Sequence, residues 1–144
     1  MLGVSFSECQ SLEDLYDTHC FAARSLFGAI PYLLILDPPR QALVPIGEPG
    51  VGILLNSRTS VIASSLREGQ DQTLTNVPGQ AVADRQVLRR LGATEGVCVP
   101  MQVSAEHGVE KIGALVFAVD EDGDHDFAIQ AYAAELAKWV ARHA

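Results

Sequence analysis

The chain has 144 residues, 48% of them hydrophobic and 19% charged, with a formal net charge of -8. That length fits one domain with its own core and no disulfide or metal staple, because a chain near 150 residues buries about 68–70% of its unfolded surface. The negative charge argues against nucleic-acid binding, since polyphosphate would be repelled. The longest apolar stretches, such as 30–36, fall far short of the ~20 residues a membrane span needs. No charged and then apolar opening marks a signal peptide.

Cysteine usage fits a reducing, cytoplasmic setting. Cys9, Cys20 and Cys98 are odd in number, widely spaced and without a C-x-x-C pair, unlike a secreted disulfide framework. Cys20 sits in a helical pattern and Cys98 in an apolar run, so both read as small buried hydrophobes.

The first element begins near Ser11, where Ser11 and Asp14 nearly match a capping box and Glu13 and Asp14 suit a helix N-terminus. Leu12, Leu15, Tyr16, His19, Ala23, Leu26 and Phe27 recur at helical steps up to Gly28. Residues 32–37 read as a buried strand, and Pro38-Pro39-Arg40 turns the chain into a second strand at 41–44. A Gly/Pro-rich loop, 47–52, follows. The capping-rich stretch 56–60 then starts a short helix over 60–68, with Val61, Ile62 and Leu66 inward and Gly69 as its stop.

Residues 72–76 predict a brief edge strand, 77–79 a loop, and 83–91 a second short helix ending at Gly92. Strands at 96–103 and 112–119 form a hairpin around a loop at 104–109. An acidic loop, 120–126, leads to a last helix at 127–143 carrying Phe127, Ile129, Tyr132, Ala133, Leu136, Trp139 and Val140. Hairpins rather than strand-helix-strand crossovers imply a mainly antiparallel sheet. The fold class is α+β: five to six strands, the terminal helices packed together on one face and the middle helices across the other.

This order resembles a GAF domain over nearly the whole chain, from Leu12 to Val140. The residues that carry the likeness are the first strand Pro31-Tyr32-Leu33-Leu34-Ile35-Leu36-Asp37 and the short helix Ser60-Val61-Ile62-Ala63-Ser64-Ser65-Leu66-Arg67-Glu68-Gly69. The strand at 73–76 and the late hairpin, Val97-Cys98-Val99-Pro100-Met101 with Ile112-Gly113-Ala114-Leu115-Val116-Phe117, complete it. Asn56-Ser57-Arg58-Thr59-Ser60 and the stretch 84–92 look most like GAF modules of bacterial HDOD signalling proteins.

The resemblance implies a single sensory or regulatory domain over 1–144, cut from a longer signalling chain, non-catalytic, and dimeric through its terminal helices. It implies a small-molecule pocket between the sheet and the two middle helices, drawing on Asn56, Ser57, Arg58, Ser60, Thr75, Asp84, Arg85, Leu88, Cys98 and Met101. The ligand itself is unknown from the sequence. The Asn-Lys-Phe-Asp-Glu signature of cyclic-nucleotide phosphodiesterase GAF domains is absent. The one His-Cys neighbour pair, His19-Cys20, falls in the first helix, so no bilin is expected.

Other constellations are weaker. The segment 120–126 departs from a calcium loop, with His125 and Ala131 at positions that need other residues, and reads as a solvated hairpin exit. Arg85 and Arg89 share a helical face beside Arg90 and could hold an anion, though such a face is more often simply solvated. Arg58 at a helix start could meet a carboxylate or phosphate; the competing reading is that Ser57 or Thr59 only caps the helix. His19, His107 and His143 show no metal-ligand spacing, so no metal is expected. No G-x-S-x-G elbow and no phosphate loop appear.

Two other functions remain open. A ligand-free interaction module would leave an apolar stripe exposed on the terminal helices, supplied by Tyr16, Phe27, Tyr132 and Trp139. A thiol enzyme of the free methionine sulfoxide reductase type would need two cysteines within disulfide reach, and its Cys-Asp-Ser segment is replaced here by Cys98-Val99-Pro100.

Overall fold

A computed structural model describes residues 10–27, 30–47, 52–106, 108–118 and 126–143. The elements run α1 (Leu12–Phe27), β1 (Tyr32–Asp37), β2 (Ala42–Pro45), β3 (Ile53–Leu54), α2 (Val61–Glu68), β4 (Gln72–Thr75), α3 (Val82–Leu91), β5 (Glu95–Ala105), β6 (Gly108–Ala118) and α4 (Asp126–His143). The six strands form one sheet in the order β3-β2-β1-β6-β5-β4, and every neighbouring pair is antiparallel. The expected α+β architecture is the one observed.

Local chemistry sets the element ends. Asp14 N–H donates to Ser11 Oγ at 3.1 Å while Gln10 N–H donates to Asp14 Oδ2 at 3.1 Å, so Ser11 caps one N-terminal donor of α1 and the Asp14 carboxylate reaches back to the residue before the cap. Gly69 and Gly92 close α2 and α3, both at φ 68°, the left-handed conformation that a side chain opposes. Gly28, His107 and most of the acidic loop lie outside the described residues.

Two features differ from expectation. The strand β3 has only two residues, too few to show alternation, and it continues the sheet beyond β2. The β5–β6 ladder runs on to Ala105↔Gly108, so the loop expected at 104–109 is largely strand. Residues such as Ser104, Ala105 and Glu110 are polar or small and exposed, and a ladder with both faces solvated gives no hydrophobic period.

The sheet separates two cores. On one face α1 and α4 contribute Leu15, Ala22, Ala23, Tyr132, Leu136 and Trp139, packed with Leu33, Val99, Met101 and Leu115 of the sheet. On the other face α2 and α3 contribute Ile62, Leu66, Val87 and Leu88, packed with Leu34, Leu43, Leu74, Cys98 and Val116. The terminal helices therefore pack together, as expected, but the apolar stripe does not stay exposed. Tyr132 and Trp139 are fully buried and Tyr16 is half-buried, because α4 lays them onto the strands. The Phe27 side chain lies outside the described set. Among the described residues, α1 presents Phe21 to solvent.

No helix among the described residues is long and apolar enough to cross a membrane.

Candidate functional site

The face under α2 and α3 gathers most of the sequence-nominated residues. Ser60 is the N-cap of α2, its Oγ accepting from Ala63 N–H at 3.2 Å. The same hydroxyl donates to Asp84 Oδ1 at 2.6 Å, and Val61 N–H donates to Asp84 Oδ2 at 2.6 Å. Asp84 belongs to α3 and is buried. A carboxylate from one helix therefore caps the other, where free N–H groups and the helix dipole favour negative charge. The expectation that an external carboxylate or phosphate meets Arg58 at this helix start meets a competitor: the chain's own Asp84 holds the N–H groups, and Arg58 points into solvent.

Burial raises the Asp84 pKa above the usual carboxylate value, and bonds from Ser60, Val61 and Ile62 offset this only in part. The folded form therefore binds its proton more tightly than the unfolded chain. Its contribution to stability is largest at acid pH and declines as pH rises through the window above 3.8. Geometry still makes the side chain necessary at neutral pH. Removing it leaves the Ser60 hydroxyl hydrogen and the Val61 N–H without an acceptor. Asp84→Ala is expected to lose about 2 kcal/mol, read as a fall in the urea midpoint at unchanged m-value. An unchanged midpoint would show that water replaces the carboxylate without cost.

Around this clamp the polar rim is ordered by Arg67 and Lys111, which carry no motif, and by Arg85. Arg67 Nη1, from the last turn of α2, donates to the carbonyls of Leu55 and Ser57 at 2.6 Å each, fixing the segment that carries Asn56, Ser57 and Arg58. Lys111 Nζ of β6 donates to the Arg67 carbonyl at 2.6 Å, at the helix end where a cation is favoured. Arg85 Nε donates to Asn76 Oδ1 at 3.1 Å, tying α3 to the exit of β4, next to Thr75. Asn56 and Arg58 are exposed; Ser57, Thr75 and Arg85 are half-buried. No sequence signal marks Arg67, because its partners are main-chain carbonyls.

The apolar members of the nominated set separate. Leu88 and Cys98 are fully buried in the α2/α3 core. Met101 belongs to the other core, beneath the terminal helices. Residues 98 and 101 are three apart on one strand, and side chains alternate faces with period two, so Met101 and Cys98 do not line one pocket. The Cys98 thiol is pushed up to about 12 by burial, and a thiol held protonated is a poor nucleophile. Cys20 lies on α1, across the sheet, and both cysteines are free. Cys9 lies outside the described residues. Among the described residues no three His, Cys, Asp or Glu side chains gather as metal ligands.

No protein-family model and no curated protein matches this chain. Solved structures do. A fragment of a methyl-accepting chemotaxis protein superposes with a TM-score of 0.66 at 18% identity, over 92% of this chain and 90% of that one. The GAF domain of a two-component sensor histidine kinase from Bacillus halodurans gives a TM-score of 0.65 at 16% identity, over 92% and 95%. A GAF domain/HD domain protein from Geobacter sulfurreducens gives 0.62 at 19% identity, over 95% and 96%. With near-complete coverage in both directions and the same α+β layers, the fold of this chain is the GAF fold.

Proposed function

We propose that this chain is a non-catalytic sensory or regulatory module that binds a small molecule at the α2/α3 face and signals through a dimer of its terminal helices. The observation that carries the reading is the division of labour across the sheet. Polar side chains with main-chain and side-chain anchors, Ser57, Ser60, Asp84, Arg85 and Asn76, collect around α2 and α3. The opposite face is built from the first and last helices. Structural likeness to domains from a sensor kinase and a chemotaxis protein supports the signalling context. Arg58 and Arg85 reach solvent at the rim and are the residues offered to a ligand; Leu88 and Cys98 are fully buried in the core of the same face.

A second reading, a ligand-free interaction module, is favoured by one observation: Phe21 is 77% exposed on α1, as an apolar anchor for a partner helix would be. Ligand-observed NMR against nucleotides, amino acids and short carboxylates separates the two. The sensor reading expects at least one class to bind, with Arg85→Ala weakening it about tenfold, or ~1.4 kcal/mol, and Phe21→Asp disrupting the dimer alone. Binding that ignores Arg85→Ala sinks the proposed site. A dimer that binds nothing and is broken by Phe21→Asp favours the interaction module.

A further inference from the structure

One buried polar pair stands apart from the α2/α3 face. His19 of α1 is fully buried, yet both of its ring nitrogens are bonded. Nε2 lies 3.2 Å from the Pro31 carbonyl, and a carbonyl only accepts, so Nε2 carries a hydrogen and donates it. In the neutral ring Nδ1 is then the acceptor, and the Tyr132 hydroxyl of α4 donates to it at 2.5 Å. The same hydroxyl also lies 3.1 Å from the carbonyl oxygen of His19.

This arrangement can receive a proton with every donor still paired. With Nδ1 protonated, the new N–H donates to Tyr132 Oη, and the hydroxyl hydrogen turns from Nδ1 to the His19 carbonyl. Among the described residues, no carboxylate is bonded to the ring to balance the resulting cation. From α1 it faces Tyr16, with ring centroids 6.0 Å apart. From α4 it faces Tyr132. The chain ahead of β1 brings the Pro31 carbonyl. None of these partners is a carboxylate. Burial accordingly holds the imidazole below its usual range, and the Pro31 bond offsets that only partly.

The surrounding packing says which element yields. The buried face of α1 among the described residues is Leu15, His19, Ala22 and Ala23, with Leu26 partly buried beside it, whereas α4 buries Tyr132, Ala133, Leu136, Ala137, Trp139 and Val140. Among the described residues, helix α1 fully buries one large apolar side chain, Leu15, where α4 buries Tyr132, Leu136, Trp139 and Val140, so the polar pair is a larger share of what holds α1. We propose that His19 and Tyr132 form a proton-operated latch between the first and last helices. A proton taken from solvent at Nδ1 releases α1 from α4 and the sheet, while the strands and the α2/α3 face stay folded. The latch lies in the helices through which the proposed signal passes, but it rests on its own observations and not on small-molecule binding.

The direction follows from linkage. The closed form has the lower imidazole pKa, so the released form binds more protons as pH falls below 6.5. The latch is at full strength above that value and weakens below it, by at most tenfold in the closed-to-released ratio per pH unit. Hydrogen exchange read by mass spectrometry at pH 7.5, 6.5 and 5.5, corrected for intrinsic rates, tests this on the full chain. The expected result is rising opening of the α1 peptide below pH 6.5, unchanged protection of the β5–β6 peptides, and a flat α1 profile in His19→Gln. A His19→Gln profile as steep as that of the native protein, or equal opening of α1 and β5–β6, would overturn the latch. A second readout needs no variant: the His19 ring resonance in carbon-detected NMR should titrate below 6.5 together with amide shifts in α1. Titration at or above 6.5, or without α1 shifts, would equally overturn it.

Discussion

Trp139→Ala is expected to cost about 3–5 kcal/mol, the range for deleting a large buried aromatic. Trp139 is among the largest fully buried side chains of the chain and belongs to the core beneath the terminal helices, with Val99, Met101, Leu115 and Tyr132 among its members. Truncation removes the transfer free energy of the indole and leaves a void that α4, anchored along the strands, can fill only partly. A domain of this size should lose on the order of 10 °C in Tm, followed by far-ultraviolet circular dichroism because the fluorophore is gone. A loss below about 1 kcal/mol would mean that α4 is not packed on the sheet as described.

Gly113→Ala is expected to destabilise by about 3 kcal/mol, at the upper end for overpacking. Gly113 sits in β6 between its partners Ile35 of β1 and Met101 of β5. A Cβ there would overlap the Leu34 carbonyl oxygen and press on Met101 Cε at 3.0 Å and Ile35 Cα at 3.1 Å. Met101 can shift as a flexible side chain, but the Leu34 and Ile35 contacts are backbone, so β1 itself must move. The strain falls on the central β1–β6 pairing and beside the register shift opposite Met101/Gln102, where β6 carries the extra residue Ile112. Chemical denaturation of the variant should show a lowered midpoint, and an alanine tolerated without loss would contradict this strand register.

Both substitutions act on features with unequal sequence signals. The α4 pattern of Tyr132, Leu136, Trp139 and Val140 is a helical stripe that sequence periodicity exposes directly. The same stripe could not say whether it faces the sheet or a partner, and the structure assigns it to the sheet. Caps were also readable: Ser11 with Asp14, Ser60, Gly69 and Gly92 all lie where their local chemistry requires. The clearance at Gly113 comes from β1, almost eighty positions earlier in the chain, and no local pattern carries it.

The candidate site divides in the same way. Ser60 as a cap is local and was readable. Its bond to Asp84 spans 24 residues, so a polar start to α2 looked like an opening for an anion until α3 supplied one. Cys98 and Met101 looked equivalent as apolar members of one strand, but the pleat sends them to opposite cores. Arg67 carries no motif, since what it recognises is the main chain of 55–57. Local chemistry thus located the elements, and long-range contacts decided which side chains share a face.

Native mass spectrometry of the purified chain tests small-molecule binding at the α2/α3 face most directly, since it reports assembly state and bound mass together. The expected spectrum is a dimer with a non-covalent bound mass, released on collisional activation and missing from Arg85→Ala. A bare monomer for both the native chain and the variant would contradict the sensor reading.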